Sequence, residues 1–273
     1  VVTRPDPPAS SNDDDWIGAK ERALRAWFTE GADPILAEID GLDIGWGGVQ
    51  RWATAQLPPP GGDAPCLDVA CGYATFLAQL GWRFPSAWLV GLNIDFAGPH
   101  ATARPLLEQA GVSAALVRAD ARHLPFAGDA FGLVSCFLGL QDIEIGFGLE
   151  GVRAALEEAA RVLRPGGVMA LWDEWPYARF DDLLAGLPLV VGRRAKRRLD
   201  VRWGRQVAER AIVLYAEGWA AQARLSDPDA RAQAVAQAHH RMTEEMESQL
   251  AAQGYYVPFG PIRMVVAQKV NGE

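Results

Sequence analysis

Cys66-Leu67-Asp68-Val69-Ala70-Cys71-Gly72-Tyr73-Ala74-Thr75 is the stretch on which the reading of this sequence turns. The run Cys66 to Ala70 is apolar and short, the composition of a buried strand, and it carries one acid, Asp68. Small residues then make a tight turn into a helical pattern from Tyr73 to Phe84. Small side chains let a ligand approach the backbone, and the start of a helix offers unpaired N–H donors. In an open parallel sheet, ligands lie beyond the carboxyl ends of the strands, where strand order reverses.

Working outward, the same alternation continues. Strands are expected at Ala87–Asn93, Ala114–Val117, Phe131–Leu138 and Val168–Trp172, with helices at Pro99–Ala110 and Leu149–Leu163. Arg164-Pro165-Gly166-Gly167 stops the last of these helices and feeds the next strand. Strands alternating with helices at this spacing imply a parallel sheet with right-handed crossovers.

Upstream, Trp16, Ala19, Ala23 and Trp27 recur at helical spacing, so a helix is expected from Asp14 or Asp15 to Glu30. Asp33 caps a second short helix, the glycine-rich turn Gly41–Gly48 follows, and a third helix runs from Val49 to Gln56. Pro58-Pro59-Pro60-Gly61-Gly62 punctuates the chain, and Val1–Asp15 reads as a disordered lead-in. Downstream, residues 176–237 are helical in character with no clear strand. His239–Gln253 reads as a helix headed by His239-His240, and Tyr255–Phe259 with Ile262–Val270 reads as a closing hairpin around Gly260-Pro261. The expected organisation is a tail and cap helices over 1–60, an α/β domain over 61–175 and 238–273, and a helical lid insertion over 176–237.

The chain has 273 residues, 49% of them hydrophobic and 22% charged, which suits an ordinary globular core. A net charge of −8 repels phosphate backbones, so no nucleic-acid partner is expected. Cys66, Cys71 and Cys136 read as buried free thiols of a reducing compartment. With no membrane-length apolar run and no signal-peptide pattern at the N-terminus, a cytoplasmic location is expected. The four histidines and three cysteines never fall at metal-ligand spacing, so no metal is expected.

Further motifs follow in order: Val90-Gly91-Leu92-Asn93-Ile94-Asp95, Ala119-Asp120-Ala121, Phe131-Gly132-Leu133-Val134 and Glu157 through Gly167. Together with the opening stretch they resemble class I S-adenosylmethionine-dependent methyltransferases of the small-molecule, UbiE-like kind, over about 61–175 and more loosely 239–270. The resemblance implies a Rossmann-like, mostly parallel seven-stranded sheet and methyl transfer from S-adenosylmethionine to a small-molecule acceptor. It also implies roles for residues. Asp68, Ala70, Cys71 and Gly72 frame the loop under the methionine part. Asn93 and Ile94 hold the ribose and one adenine face, and Asp120 and Ala121 bind the adenine edge. Cys136 and Phe137 pass beside the sulfonium, and Trp46 lies over the cofactor.

The sequence departs from the family at several points. Ala70 and Ala74 replace two loop glycines, and because alanine adopts positive φ only at a cost, ordinary backbone angles are expected there. Asn93 replaces the ribose-binding acid, at a cost of ~1 kcal/mol of charge assistance, and Asp95 is placed to substitute. Gly132 replaces an acid before a strand, and Gln141-Asp142 stands where many relatives carry a His-His pair. A base is needed only if the acceptor arrives protonated; the candidates are Gln141, Asp142, Asp173, Glu174 and His239, with His240 beside it.

Arg193, Arg194, Lys196, Arg197, Arg198, Arg202 and Arg205 form a basic run with two readings, a solvated surface or a lid whose cations draw an anionic acceptor. Trp203, Tyr215 and Trp219 interleave with it as candidate pocket walls. Two alternative functions remain open at this point, a non-catalytic protein of the same fold and a methyltransferase acting on RNA. A dinucleotide oxidoreductase is disfavoured, because Ala70-Cys71-Gly72-Tyr73-Ala74 lacks the Gly-x-Gly-x-x-Gly spacing.

Overall fold

In a computed structural model, residues 13–60, 64–223 and 227–270 are described. Most of the expected lead-in and the Gly61-Gly62 turn lie outside the described residues.

Apolar runs become strands that are buried throughout. β1 (Cys66–Val69), β2 (Leu89–Asn93) and β4 (Phe131–Phe137) expose no residue, as strands covered on both faces must be if they read as continuous hydrophobic runs. With β3 (Ala114–Arg118), β5 (Leu163–Asp173), β6 (Leu189–Arg197) and β7 (Ile262–Lys269) they form one seven-stranded sheet in the order β3-β2-β1-β4-β5-β7-β6. Pairing is parallel from β3 to β5 and antiparallel at β5–β7 and β7–β6. Strand order reverses between β1 and β4, so the crevice for a ligand opens at the ends of those two strands.

Helices cover both faces. One core packs β1 and β2 against α1 (Asp13–Phe28), α3 (Val49–Ala55), α4 (Thr75–Arg83), α5 (Ala103–Ala110) and α8 (Arg205–Gln222). The other packs the sheet against α6 (Leu140–Val162) and α7 (Tyr177–Leu184). Between α1 and α3 lies α2 (Pro34–Asp40), capped by Asp33, whose carboxylate accepts from the Ile35 and Leu36 N–H groups. Gly148 breaks α6 with φ +68 and ψ −178, so the helix expected from Leu149 is its second part, and Gln141 and Asp142 sit on the first.

Three expectations need correction. Residues 176–237 contain a strand, β6, paired antiparallel with β7 from Leu189↔Lys269 to Arg197↔Ile262. It was illegible because β6 is an edge strand, mostly exposed, carrying Arg193, Arg194, Lys196 and Arg197; such charges protect an edge but erase its apolar alternation. The closing hairpin is therefore absent as drawn. β7 pairs with β5 and β6, and Tyr255–Phe259 contributes only the single bridge Trp203↔Tyr256. Nor does His239-His240 head a helix, since α9 runs from Pro228 to Gln253 behind the Asp227 cap.

Candidate functional site

The loop between β1 and α4 sets the geometry. Gly72 has φ +50, and a Cβ there would meet nothing nearer than His100 Nε2 at 3.9 Å. The backbone is thus bare towards the crevice. Ala70 (φ 55) and Ala74 (φ 65) are also left-handed, which overturns the expectation of ordinary angles at these positions. The loop keeps the backbone path that glycine would give and carries the strain, of order 1–2 kcal/mol per alanine. Ala74 then caps α4.

Two cavities meet at this loop and share Ala70, Gly72, His100, Asp142 and Ala221 as walls. The first, of about 520 Å³, is lined by Asn93, Ile94, Asp95, Asp120, Ala121 and Phe147 among others. The second, of about 510 Å³, is lined by Asp43, Trp46, Gln50, Asp68, Cys71, Phe137, Gln141, Glu174, Trp219 and Phe259 among others. Each lies in the size range of small-molecule sites.

In the first cavity, Asn93 ends β2 and its amide nitrogen donates to Asp95 O (2.8 Å) and to His100 Nδ1 (3.1 Å). An amide nitrogen only donates, so in this pair Nδ1 is the acceptor, and the ring's Nε2 lies on the side of Gly72. Burial holds His100 below the ordinary histidine range, so the ring is neutral at pH 7. Asp95, offered above as a substitute for Asn93, closes its own turn by accepting from the Ala97 N–H (2.9 Å). Asp120 is pinned by Arg122 (Nη2 to Oδ2 2.6 Å), which holds its carboxyl below the usual range, and it also accepts from the Arg122 N–H.

In the second cavity, Asp68 is 1% exposed and accepts from the Ser135 hydroxyl (2.8 Å). Burial pushes its carboxyl up to about 7, with that hydrogen bond opposing. Burial also raises Asp43 to about 7, reinforced by neighbouring Asp40. Asp173 is fully buried at the end of β5; its carboxylate accepts from the Gln141 N–H (3.2 Å) and its carboxyl rises by burial to about 7. Glu174 is raised by burial and accepts from the Gly260 N–H. Trp46, at φ 46, packs against Phe259 at 4.9 Å and Phe137 at 6.3 Å between ring centroids.

Most of the residues expected from the sequence thus line one of the two cavities. Cys136 is buried but lines neither, and Asp173 stands behind Gln141. His239 is exposed on α9, bonded to Thr243, and borders neither cavity. Asp43, Tyr73, Phe76, His100, Phe147 and Phe259 were missed. Asp43 belongs to the quoted glycine-rich turn, but nothing in its neighbours marks it. His100 carried no signal, because its partner Asn93 lies seven positions away across a turn.

Residues 66–167 match the family described as "Methyltransferase domain". Over 117 residues the chain is 35% identical to a malonyl-(acyl-carrier protein) O-methyltransferase of Dechloromonas aromatica, covering 43% of this chain and 38% of that protein. Over 127 residues it is 34% identical to a demethylmenaquinone methyltransferase of Thermus thermophilus, covering 45% of this chain and 54% of that protein. The chain thus spans about half or less of the length of these curated relatives. Among solved structures, the 4+2 cyclase SpnF superposes with a TM-score of 0.55 at 16% identity, covering 97% of this chain and 98% of that one, a likeness of fold. Sheet order, bare loop and sequence match agree that residues 66–167 form a methyltransferase domain of the class I, S-adenosylmethionine-dependent type.

Proposed function

We propose that this protein is an enzyme that moves a methyl group from S-adenosylmethionine to a small-molecule acceptor by in-line displacement. The observation that carries the reading is the pair of cavities joined at Ala70, Gly72 and His100, at the end of the sheet where strand order reverses. The residues fit the donor. The first cavity has room for a nucleoside, with Asn93 and His100 at its sugar end and Asp120 and Ala121 at its base end, between Ile94 and Phe147. Gly72 leaves the peptide bare for the amino-acid part, and Asp68 supplies a buried carboxylate beneath it.

The donor brings an activated methyl group, so the chain has to align the acceptor and exclude water. Alignment of this kind is worth up to ~7–11 kcal/mol. Phe137, Trp46 and Phe259 give the second cavity an apolar wall, while Gln141, Asp142 and Glu174 line it as hydrogen-bonding or proton-accepting groups. An anionic acceptor drawn by the basic run finds little support. Arg193 and Arg194 bond Gln56 and Asp181, and no residue of the run lines either cavity. RNA is disfavoured by the net charge of −8.

Calorimetry with S-adenosylhomocysteine tests the reading. One-to-one binding is expected, weakened by ~1–3 kcal/mol in Asp120→Ala, and labelled methyl groups should pass from donor to acceptor. Absence of heat at millimolar ligand would sink it.

A further inference from the structure

The walls of the second cavity are unusual in charge. Asp43, Asp68, Asp142 and Glu174 all line it, and among the described residues no Lys or Arg does. The histidine there, His100, is kept neutral by burial. Asp68 lies under the loop at the end of β1, where it would stand beneath the amino-acid part of a bound donor. Asp43 and Glu174 line this cavity alone, and Asp142 lines both.

Asp43 is the most telling of them. Among the described residues its carboxylate makes no hydrogen bond or ion pair, and the charge that acts on it is Asp40, of like sign. It is part-exposed and opens on the cavity, so a ligand there can supply the counter-charge that the protein does not. Aromatic faces stand beside it: Trp46 against Phe259, with Trp219 across the same space. Carboxylates together with aromatic faces are the chemistry that recognises an ammonium on an apolar frame.

Building on the methyltransferase reading above, we propose that the second cavity selects a cationic, amine-bearing acceptor and that its nitrogen is the atom methylated. Its ammonium sits among Asp43, Asp142 and Glu174, and its carbon frame lies against Trp46, Trp219 and Phe259. The ammonium first gives a proton to a carboxylate of the cavity, and Asp43, raised to about 7, is suited to take it. The freed lone pair then attacks the methyl carbon. The C–N bond forms as the C–S bond breaks, the electron pair stays on sulfur, and the positive charge passes from sulfur to nitrogen.

The test uses phenethylamine, phenethyl alcohol and phenylacetate as cationic, neutral and anionic probes of one frame. Each is titrated into the full chain with and without saturating S-adenosylhomocysteine. The amine is expected to bind about tenfold or more tightly than either other probe. That preference should fall several-fold in Asp43→Asn. It should also fall in Glu174→Gln, which keeps a carbonyl oxygen for the Gly260 N–H. Equal binding of the three probes, binding of none, or a preference unchanged in both variants overturns the proposal. S-adenosylhomocysteine binding is read separately in the same preparations. A chain that takes the amine but no nucleoside therefore fails the methyltransferase reading, and the reverse outcome fails only this one.

Discussion

Gly72 and Ala70 hold similar left-handed angles two positions apart, so opposite substitutions there give opposite results. Gly72→Val puts a branched side chain at φ +50 and points it into the junction of the cavities. It should cost about 1–2 kcal/mol of stability and, by calorimetry, most of the affinity for S-adenosylhomocysteine. Ala70→Gly relieves strain but frees the unfolded chain, so a net gain of up to ~1 kcal/mol is expected in urea melts. A clear loss would show that Ala70 is not left-handed. The importance of the loop was legible in sequence because small residues after an apolar run have few uses. Its backbone angles were not, since the sequence does not show that the surrounding fold imposes a glycine-like path on alanine. Asp120 was legible by position, whereas its clamp by Arg122 was not.

At the scale of elements, the buried strands β1, β2 and β4 were read within a residue or a few because both faces are covered. The edge strand β6 was not, because its pairing with β7 depends on residues some seventy positions away and its own pattern is charged. Capping was also legible. Asp33→Ala removes the acceptor for the Ile35 and Leu36 N–H groups (2.9 and 3.4 Å) and should cost ~1 kcal/mol in thermal or urea unfolding. Because the turn bearing Asp43 and Trp46 follows α2 directly, the same variant should loosen the acceptor cavity, read as weaker amine binding.

Over the whole molecule, burial gives the protein an uncommon pH response. Asp43, Asp68 and Asp173 each rise from 3.8 to about 7 on folding. The folded state therefore binds more protons than the unfolded state between these values, and stability must fall as pH rises from about 4 to about 7. His100, lowered by burial, acts the other way below the ordinary histidine range, but it stands against these three aspartates and the raised Glu21, Asp40 and Glu174. The melting temperature should thus be higher near pH 5.5 than at pH 7.5. Asp173→Asn, which keeps an oxygen for the Gln141 N–H, should flatten the difference, and an unchanged slope would show that this carboxyl is not raised. The overall architecture was readable from alternation alone. The acidic interior was not, because Asp43, Asp68, Asp142 and Glu174 are scattered along the sequence and converge only when the sheet and its cover assemble.

The strand supplied by residues 176–237 also bears on what counts as cover. Stitched along its length to β7, the strand Leu189–Arg197 belongs to the sheet and not to a flap. At the far end of α8, which is not part of that strand, Gly218, Trp219 and Ala221 wall the second cavity. Nine residues of what reads as an added cover are thus part of the frame itself.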